Sequence, residues 1–420
     1  MSDAPSLLRV LTPDQVPHLR RAAVDAETLA AAGRIVEEVR AGGEPALRAW
    51  AERLGDLPPG APLLLDREAL RAAHDAQPAE VRDLLHRTAD RIRAFAQAQR
   101  DALRPIDVPV PGGRAGHDLA PMERAGCYAP GGRFPLPSSV LMTAVTARVA
   151  GVSEVVVASP RPAPVTLAAA HVAGADRFLC VGGAQAIAAL AHGAGAVPPC
   201  DVIVGPGNRW VTAAKQLVAG RAAIDLLAGP SELVVLADDA ADPDTVAADL
   251  LAQAEHDPDA LPILVTTSAA LIGAVQRALR DQLATLPTAE TASAAVAEGF
   301  AVLCPSLSEA IRVCDHLAPE HLEVMTRDAA AVQPRLSHYG GLFVGAGAAE
   351  VLGDYGAGPN HVLPTGGTAR ATGGLSVFTF LRVRTWLRVD APAALARDAA
   401  ALARLEGLEG HARSAERRLR

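Results

Sequence analysis

Residues 177–218 read RFLCVGGAQAIAALAHGAGAVPPCDVIVGPGNRWVTAAKQLV, and twice over a short apolar run passes through small residues into an alanine-rich stretch. This is strand, turn and helix in alternation, the texture of an α/β fold whose parallel strands are buried on both faces. The same texture extends in both directions. Short β-branched runs occur at EVVVASP (154–160), ELVVLAD (232–238), PILVTTS (262–268), AVLCPS (301–306) and GLFVG (341–345), with helical stretches between them. Their number suits two α/β blocks in tandem, split near Gly229-Pro230-Ser231. Ligands of open α/β sheets sit at the carboxyl ends of strands. There the junctions FLCVGGAQ and VIVGPGN place Gln185 and Asn208 at helix starts, where free N–H groups favour anions such as phosphate. Neither junction is a G-x-G-x-x-G turn, and GAGAAE at 345–350 lacks its last glycine, so alone these read as ordinary turns of the fold.

Outside this region the texture is helical. Roughly the first 105 residues place apolar side chains at three- and four-residue intervals, as in IVEEVRAGGEPALRAWAERLG and EVRDLLHRTADRIRAFAQAQRDAL. A Pro/Gly-rich passage, RPIDVPVPGGRAGHDLAPMERAG, interrupts before the alternation begins, and the run after Gly374 reads as helix to the end of the chain.

At 420 residues the chain suffices for two or more cores, and half of it is apolar without a run of membrane-spanning length. The opening MSDAPSLLRVLTPDQVPHLRR lacks the pattern of an export signal, so a cytoplasmic setting is expected. Cys127, Cys180, Cys200, Cys304 and Cys314 show no C-x-x-C spacing and read as buried thiols, so any metal ligands come from other residue types. A net charge of −8 with scattered Lys and Arg gives no footprint for nucleic acid beyond the arginine-rich tail.

Three segments carry residues of chemical interest. GDYGAGPNHVLPT (353–365) hangs Asp354, Asn360 and His361 on a backbone loosened by three glycines, which lets the acid and the imidazole turn towards one point. Alone, it reads equally as a surface loop with a capping Asp and a solvated His. In DLLAQAEHDPDALP a helix is expected to end near Pro258, with Gln253 and His256 three apart on one face and able to share a metal ion. In HLAPEHLEV, Glu320 and His321 follow a proline that fixes the start of a helix; the pair suits proton removal, or else Glu320 merely complements the helix dipole. Glu406 and His411, five apart in LARLEGLEGHARS, lie too far round a helix to serve one atom and would divide roles between metal and substrate.

Taken together, GCYAPGG (126–132), VGGAQAIAAL (181–190), GPGN (205–208), AGPSE (228–232), QAEH (253–256), PEHL (319–322), GDYGAGPNHVLPT (353–365) and EGLEGH (406–411) closely resemble the histidinol dehydrogenase family. The likeness runs through most of the chain, including VRAGGEPAL before AERLGD near its start.

The resemblance implies two Rossmann-like α/β domains of the kind shared with aldehyde dehydrogenases. Residues 1–24 would form an N-terminal helical segment, and 25–127 plus 231–375 the larger domain with the metal and base residues. Residues 128–230 would form the NAD-side domain, and 376–420 a helical dimerisation arm. It also implies a zinc- and NAD-dependent enzyme taking L-histidinol through an aldehyde to L-histidine, the last step of histidine biosynthesis. Zinc would be held by Gln253, His256, Asp354 and His411, with substrate nitrogens completing an octahedral set. His321 would deprotonate the alcohol and Glu320 activate the water that hydrates the aldehyde. Ser231, His361 and Glu406 would orient substrate, and Tyr128, Gln185 and Asn208 match positions that contact NAD. Family members are homodimers whose arm crosses to the partner, so Glu406 and His411 would serve the other subunit.

The rival on the same scaffold is a paralogous zinc/NAD dehydrogenase of another small polar alcohol, such as a sulfonated diol. A reading from another class is a non-catalytic metal-binding descendant. Ser231, His361, Glu406 and the NHVLPT string favour histidinol, and every catalytic position is filled; only TARATGGLSVF departs slightly from the family pattern.

Overall fold

The structure, a computed structural model, describes residues 6–19, 24–131 and 135–419. Along the chain the strands are β1 (Arg9–Leu11), β2 (Leu64–Asp66), β3 (Ile106–Val110), β4 (Gly113–Pro121), β5 (Arg124–Tyr128), β6 (Glu154–Ala158), β7 (Arg177–Leu179) and β8 (Val202–Val204). They continue as β9 (Ala223–Ile224), β10 (Glu232–Ala237), β11 (Leu261–Thr266), β12 (Phe300–Leu303), β13 (His321–Met325), β14 (Gly341–Val344) and β15 (Leu381–Val389). The helices are α1 (Ala26–Arg53), α2 (Arg67–Asp75), α3 (Ala79–Asp101), α4 (Pro137–Ala150), α5 (Pro164–Val172), α6 (Gly183–His192), α7 (Arg209–Val218) and α8 (Pro243–Ala254). After them come α9 (Ala269–Leu283), α10 (Ala289–Glu298), α11 (Leu307–Leu317), α12 (Ala329–Val332), α13 (Glu350–Asp354), α14 (Ala393–Leu405) and α15 (Glu409–Glu416).

Two six-stranded sheets organise the chain. The first has the order β2-β7-β6-β5-β8-β9 and is parallel except for β2, which runs against β7. The second, β1-β12-β11-β10-β13-β14, is parallel throughout. The β6, β8, β10 and β11 runs are buried almost end to end because helices cover both faces. Between Ile224 and Glu232 the chain passes from one sheet to the other, at the expected Gly229-Pro230-Ser231 break.

Several expectations are corrected. Residues 1–24 are not a helical segment: Arg9–Leu11 adds β1 to the edge of the second sheet beside β12, followed by a 3-10 turn at Pro13–Gln15. Residues 1–5 and 20–23 of that segment lie outside the described residues. Residues 25–127 pack chiefly on the first sheet rather than on the strands of the second, although α3 also touches the 353–365 loop. Val36, Val39 and Leu47 of α1, Leu70 of α2, and Leu85 and Ile92 of α3 share one core with β5–β8. That core is chosen by matching surfaces, which periodicity within a helix does not encode.

The Pro/Gly-rich passage is a hairpin, β3 against β4, and β15 pairs with β4 along nine residues to make a third, antiparallel sheet. The 376–420 arm is therefore strand first and helix after. LRVRTWLRV alternates with period two, a strand signature that the alanine-rich residues after it obscure. Glu320-His321 opens no helix: α11 ends on Ala318 in the left-handed conformation (φ 48°) and the chain runs directly into β13. Likewise α8 stops at Ala254, so Gln253 is in its last turn and His256 lies beyond it.

Candidate active site

Each expected site residue is placed by a particular element. Ser231 immediately precedes β10, and Glu320 immediately precedes β13, the strand paired beside it. Both strands start at the same edge, so the two side chains meet, and Ser231 Oγ donates to Glu320 Oε2 at 2.5 Å. The Glu232 backbone N–H donates to the same oxygen at 3.2 Å. Helix α8, capped by Asp242 with Pro243 in its first turn, delivers Gln253 fully buried to this edge. Its amide is assigned with the nitrogen 3.2 Å from both Glu350 oxygens and the oxygen 3.1 Å from Ser231 Oγ.

The glycine loop completes the ring. Gly356, at φ 87°, leaves no room for a side chain because a Cβ would lie 2.4 Å from Thr88 Cγ2 of α3. Arg91 of the same helix donates to the Gly356 carbonyl at 2.6 Å, and Asn360 donates to the Met142 carbonyl of α4 at 2.8 Å. Asn360 thus pins the loop and leaves ligation to its neighbours. Asp354 ends up 3.9 Å from His256 Nε2, and 4.0 Å from both His321 Nε2 and His361 Nδ1.

The ring is strongly perturbed electrostatically. His321 is 3% exposed, and burial lowers its pKa to about 4, so its imidazole is neutral near pH 7. Its Nδ1 stands 3.3 Å from the Glu232 carbonyl, which selects the Nδ1–H tautomer and leaves Nε2 with a free lone pair and no partner. Burial likewise lowers the His361 pKa, and its Nε2 is also unpartnered. Glu320 and Glu350 are pushed well above the ordinary carboxyl range, first by burial; for Glu320 the Ser231 hydroxyl pulls the other way. One donor atom from each of His256, Glu350 and Asp354 lies within 4.8 Å of the others. Imidazole nitrogen and carboxylate oxygen are donors that zinc accepts, and the unpartnered His321 Nε2 stands 4.0 Å from Asp354 in the same ring, so these residues fit a divalent cation.

Glu350 was not among the residues singled out from the sequence. The legible signal was its spacing from Asp354, four residues along one helix and hence on one face. Glu406 and His411 are not brought to this ring within one chain. Both are exposed on the arm, whose small buried cluster is Ala400, Ala403 and Ala412.

The residues expected to contact NAD lie elsewhere, at the carboxyl edge of the first sheet. Tyr128 ends β5, from which the strand order departs in both directions, the topological switch point where such sheets bind ligands. Its hydroxyl accepts from the Gly183 N–H at 3.2 Å. Gln185 Nε2 donates to Asp56 at 2.8 Å, while Gln185 Oε1 is buried without a partner. Asn208 caps α7, accepting from the Trp210 and Val211 N–H groups. Gly132 of GCYAPGG lies outside the described residues. The five cysteines are free and buried. No helix among the described residues is long and apolar enough to cross a membrane.

The sequence profile of the histidinol dehydrogenase family matches residues 19–419. The histidinol dehydrogenase of Thermus thermophilus is 48% identical over 389 residues, covering 91% of this chain and 93% of that protein. That of Halobacterium salinarum is 48% identical over 424 residues, 97% of each. Among solved structures, the histidinol dehydrogenase of Elizabethkingia anophelis superposes with a TM-score of 0.92 at 29% identity, covering 99% of both chains.

Proposed function

Since the chain belongs to the histidinol dehydrogenase family, we propose that it oxidises L-histidinol to L-histidine through the aldehyde, with two NAD, as the last step of histidine biosynthesis. The family makes it an NAD-dependent dehydrogenase. The observation that carries the fuller reading is the convergence of Ser231, Gln253, His256, Glu320, His321, Asp354 and His361 on one edge of the second sheet. In this reading Gln253, His256, Asp354 and the partner subunit's His411 hold zinc. When bound, the ion would supply a positive anchor for substrate nitrogen donors and so help fix the pose of a flexible amino alcohol.

The remaining work falls to the chain's own side chains. His321, neutral and with Nε2 free, accepts the alcohol proton as hydride leaves the carbon for the nicotinamide. Glu320, held by Ser231 and the Glu232 N–H, takes a proton from the water that adds to the aldehyde, giving the hydrate that loses the second hydride. Burial raises its affinity for that proton well above that of an ordinary carboxylate, and the two donors moderate the effect. Ser231 and His361, together with the partner subunit's Glu406, orient the substrate, while Tyr128, Gln185 and Asn208 contact NAD. The working form is a homodimer in the cytoplasm, each arm completing the other subunit's site.

The test is an NADH-monitored assay of the purified protein on L-histidinol and on other amino and sulfonated alcohols, with and without a chelator. Two NADH per histidinol, lost on chelation, is the expected result. Preference for a sulfonated diol would overturn the substrate assignment and leave the cation and NAD in place. Full turnover after chelation would overturn the zinc.

A further inference from the structure

Three histidines meet on the helices that cover the first sheet, and none of them has a part in the roles set out above. His74 lies in the last turn of α2, His86 in α3 and His171 in the last turn of α5. His74 Nε2 stands 3.3 Å from His86 Nε2, with the ring centroids 5.3 Å apart and the planes at 84°. The His171 ring centroid lies 4.8 Å from that of His74, its plane tilted by 40°.

The second nitrogen of His74 settles what the first can do. Nδ1 is 3.0 Å from Asp75 Oδ1, and this contact holds the carboxyl below its ordinary range, so Asp75 is ionised and accepts the Nδ1 proton. Nε2 is then the lone-pair end of a ring whose side chain is only 12% exposed. A carboxylate behind an imidazole is the arrangement that orients histidine ligands of metal ions and makes them more basic. Two nitrogens bound to one tetrahedral zinc, each at about 2.0–2.1 Å, lie about 3.3–3.4 Å apart, as the His74 and His86 nitrogens do. A direct hydrogen bond between the two rings has the same span, and the two readings differ in whether a metal is taken up.

His171 keeps its lone pairs as well. Burial, followed by the neighbouring His74, lowers its pKa, so the ring is neutral near pH 7; Arg71 works against positive charge here and Asp75 favours it. A turn of the ring about its Cβ–Cγ bond leaves the centroid in place and decides which nitrogen faces the other two. His171 also lines an open cleft with Arg71 and Gly174, from which water can fill the remaining position.

We propose that His74, His86 and His171 form a second cation site, which takes a zinc-class ion and ties α2, α3 and α5 together. Imidazole donors select zinc, copper or nickel over magnesium and calcium. The site is independent of the zinc reading of the ring beside β10 and β13 and leaves the ligands there as they are.

The experiment is a zinc titration by calorimetry of the purified full chain, desalted with its resident metal in place. Wild type is compared with His74→Ala, His86→Ala, His171→Ala and His18→Ala. The last removes half of another close imidazole pair, His18 and His316, whose centroids lie 4.1 Å apart. Wild type is expected to take up one zinc per chain more than His86→Ala does. The count is a difference between two chains, so it does not depend on how much metal the other ring retains. Each substitution in the triad should weaken this uptake by at least about ten- to a hundred-fold, the range by which even outer partners of a metal site act. His18→Ala should leave it unchanged. Added zinc should raise the thermal midpoint of wild type further than that of His86→Ala, because the ion binds the folded state. His86 is exposed, so its variant carries the test should His74→Ala fail to fold by circular dichroism.

Three results would overturn the proposal. Equal uptake by wild type and His86→Ala would leave the pair as a hydrogen bond, wild-type affinity in His171→Ala would remove the third ligand, and loss of the uptake in His18→Ala would place the ion elsewhere. A chain that takes up this zinc yet forms no NADH from L-histidinol would overturn the reading of the active site and leave the second site standing.

Discussion

His321 shows how burial and one hydrogen bond choose a chemical state. The Glu232 carbonyl at Nδ1 fixes the tautomer, burial keeps the ring uncharged, and Nε2 is left with a free lone pair, the state the proposed base requires. Asparagine at this position keeps a polar group of similar reach but takes no proton. General bases contribute about a hundred- to ten-thousand-fold, so His321→Asn is expected to lower kcat by that much. Zinc content is expected to stay at the wild-type level, because His321 is not one of the ligands in this reading. Turnover at the wild-type rate would remove His321 from the mechanism.

Among the elements, the β8–α7 unit shows what holds the carboxyl edge of the first sheet in shape. Gly205 follows β8 at φ 114°, and a Cβ there would lie 1.9 Å from the Tyr128 carbonyl, so the GPGN turn lies against the end of β5. Lys215 of α7 donates to the Gly205 carbonyl at 3.0 Å and pairs with Asp225, which in turn accepts from the Gly205 N–H at 2.7 Å. Both side chains of the pair are at most 3% exposed. Removing one partner of such a pair strands a buried charge and costs about 3–5 kcal/mol. Lys215→Met should lose that much stability in urea titrations followed by circular dichroism, with NAD affinity falling as the turn loosens. A loss below about 1 kcal/mol, the worth of an exposed pair, would contradict this account.

For the whole molecule, the arm is the part that one chain does not explain. Helices α14 and α15 pack on each other through Ala400, Ala403 and Ala412, with Arg404 bridging Glu409 and Glu416. Leu405 is 85% exposed, and Leu402, Val383 and Leu387 are each close to 60% or above. Apolar surface of this kind marks an interaction face. A chain ending before Glu406 is expected to keep its body folded and to lose turnover. Adding full-length chains that carry His321→Asn should restore activity, because a hybrid dimer joins an intact base to an intact arm. Absence of rescue, with hybrid dimers present by sedimentation, would argue that each arm serves its own chain.

The β-branched runs and alanine-rich stretches from residue 127 onward determined the two-block α/β architecture and its break at Gly229–Ser231. Their burial on both faces writes a continuous apolar signal into the sequence itself. The spacing of motifs likewise marked Glu320, His321, Asp354 and His361 as residues of interest. The shape of the edges was illegible: β1 and β2 are three residues long, too short for any period, and β13 begins where a proline suggested a helix. Only the tertiary structure assigned α1–α3 to the first sheet, set Glu350 beside Asp354 and His256, and chose the protonated nitrogen of His321. Those outcomes depend on which surfaces meet and how much water they exclude, and a one-dimensional pattern of residue types records neither.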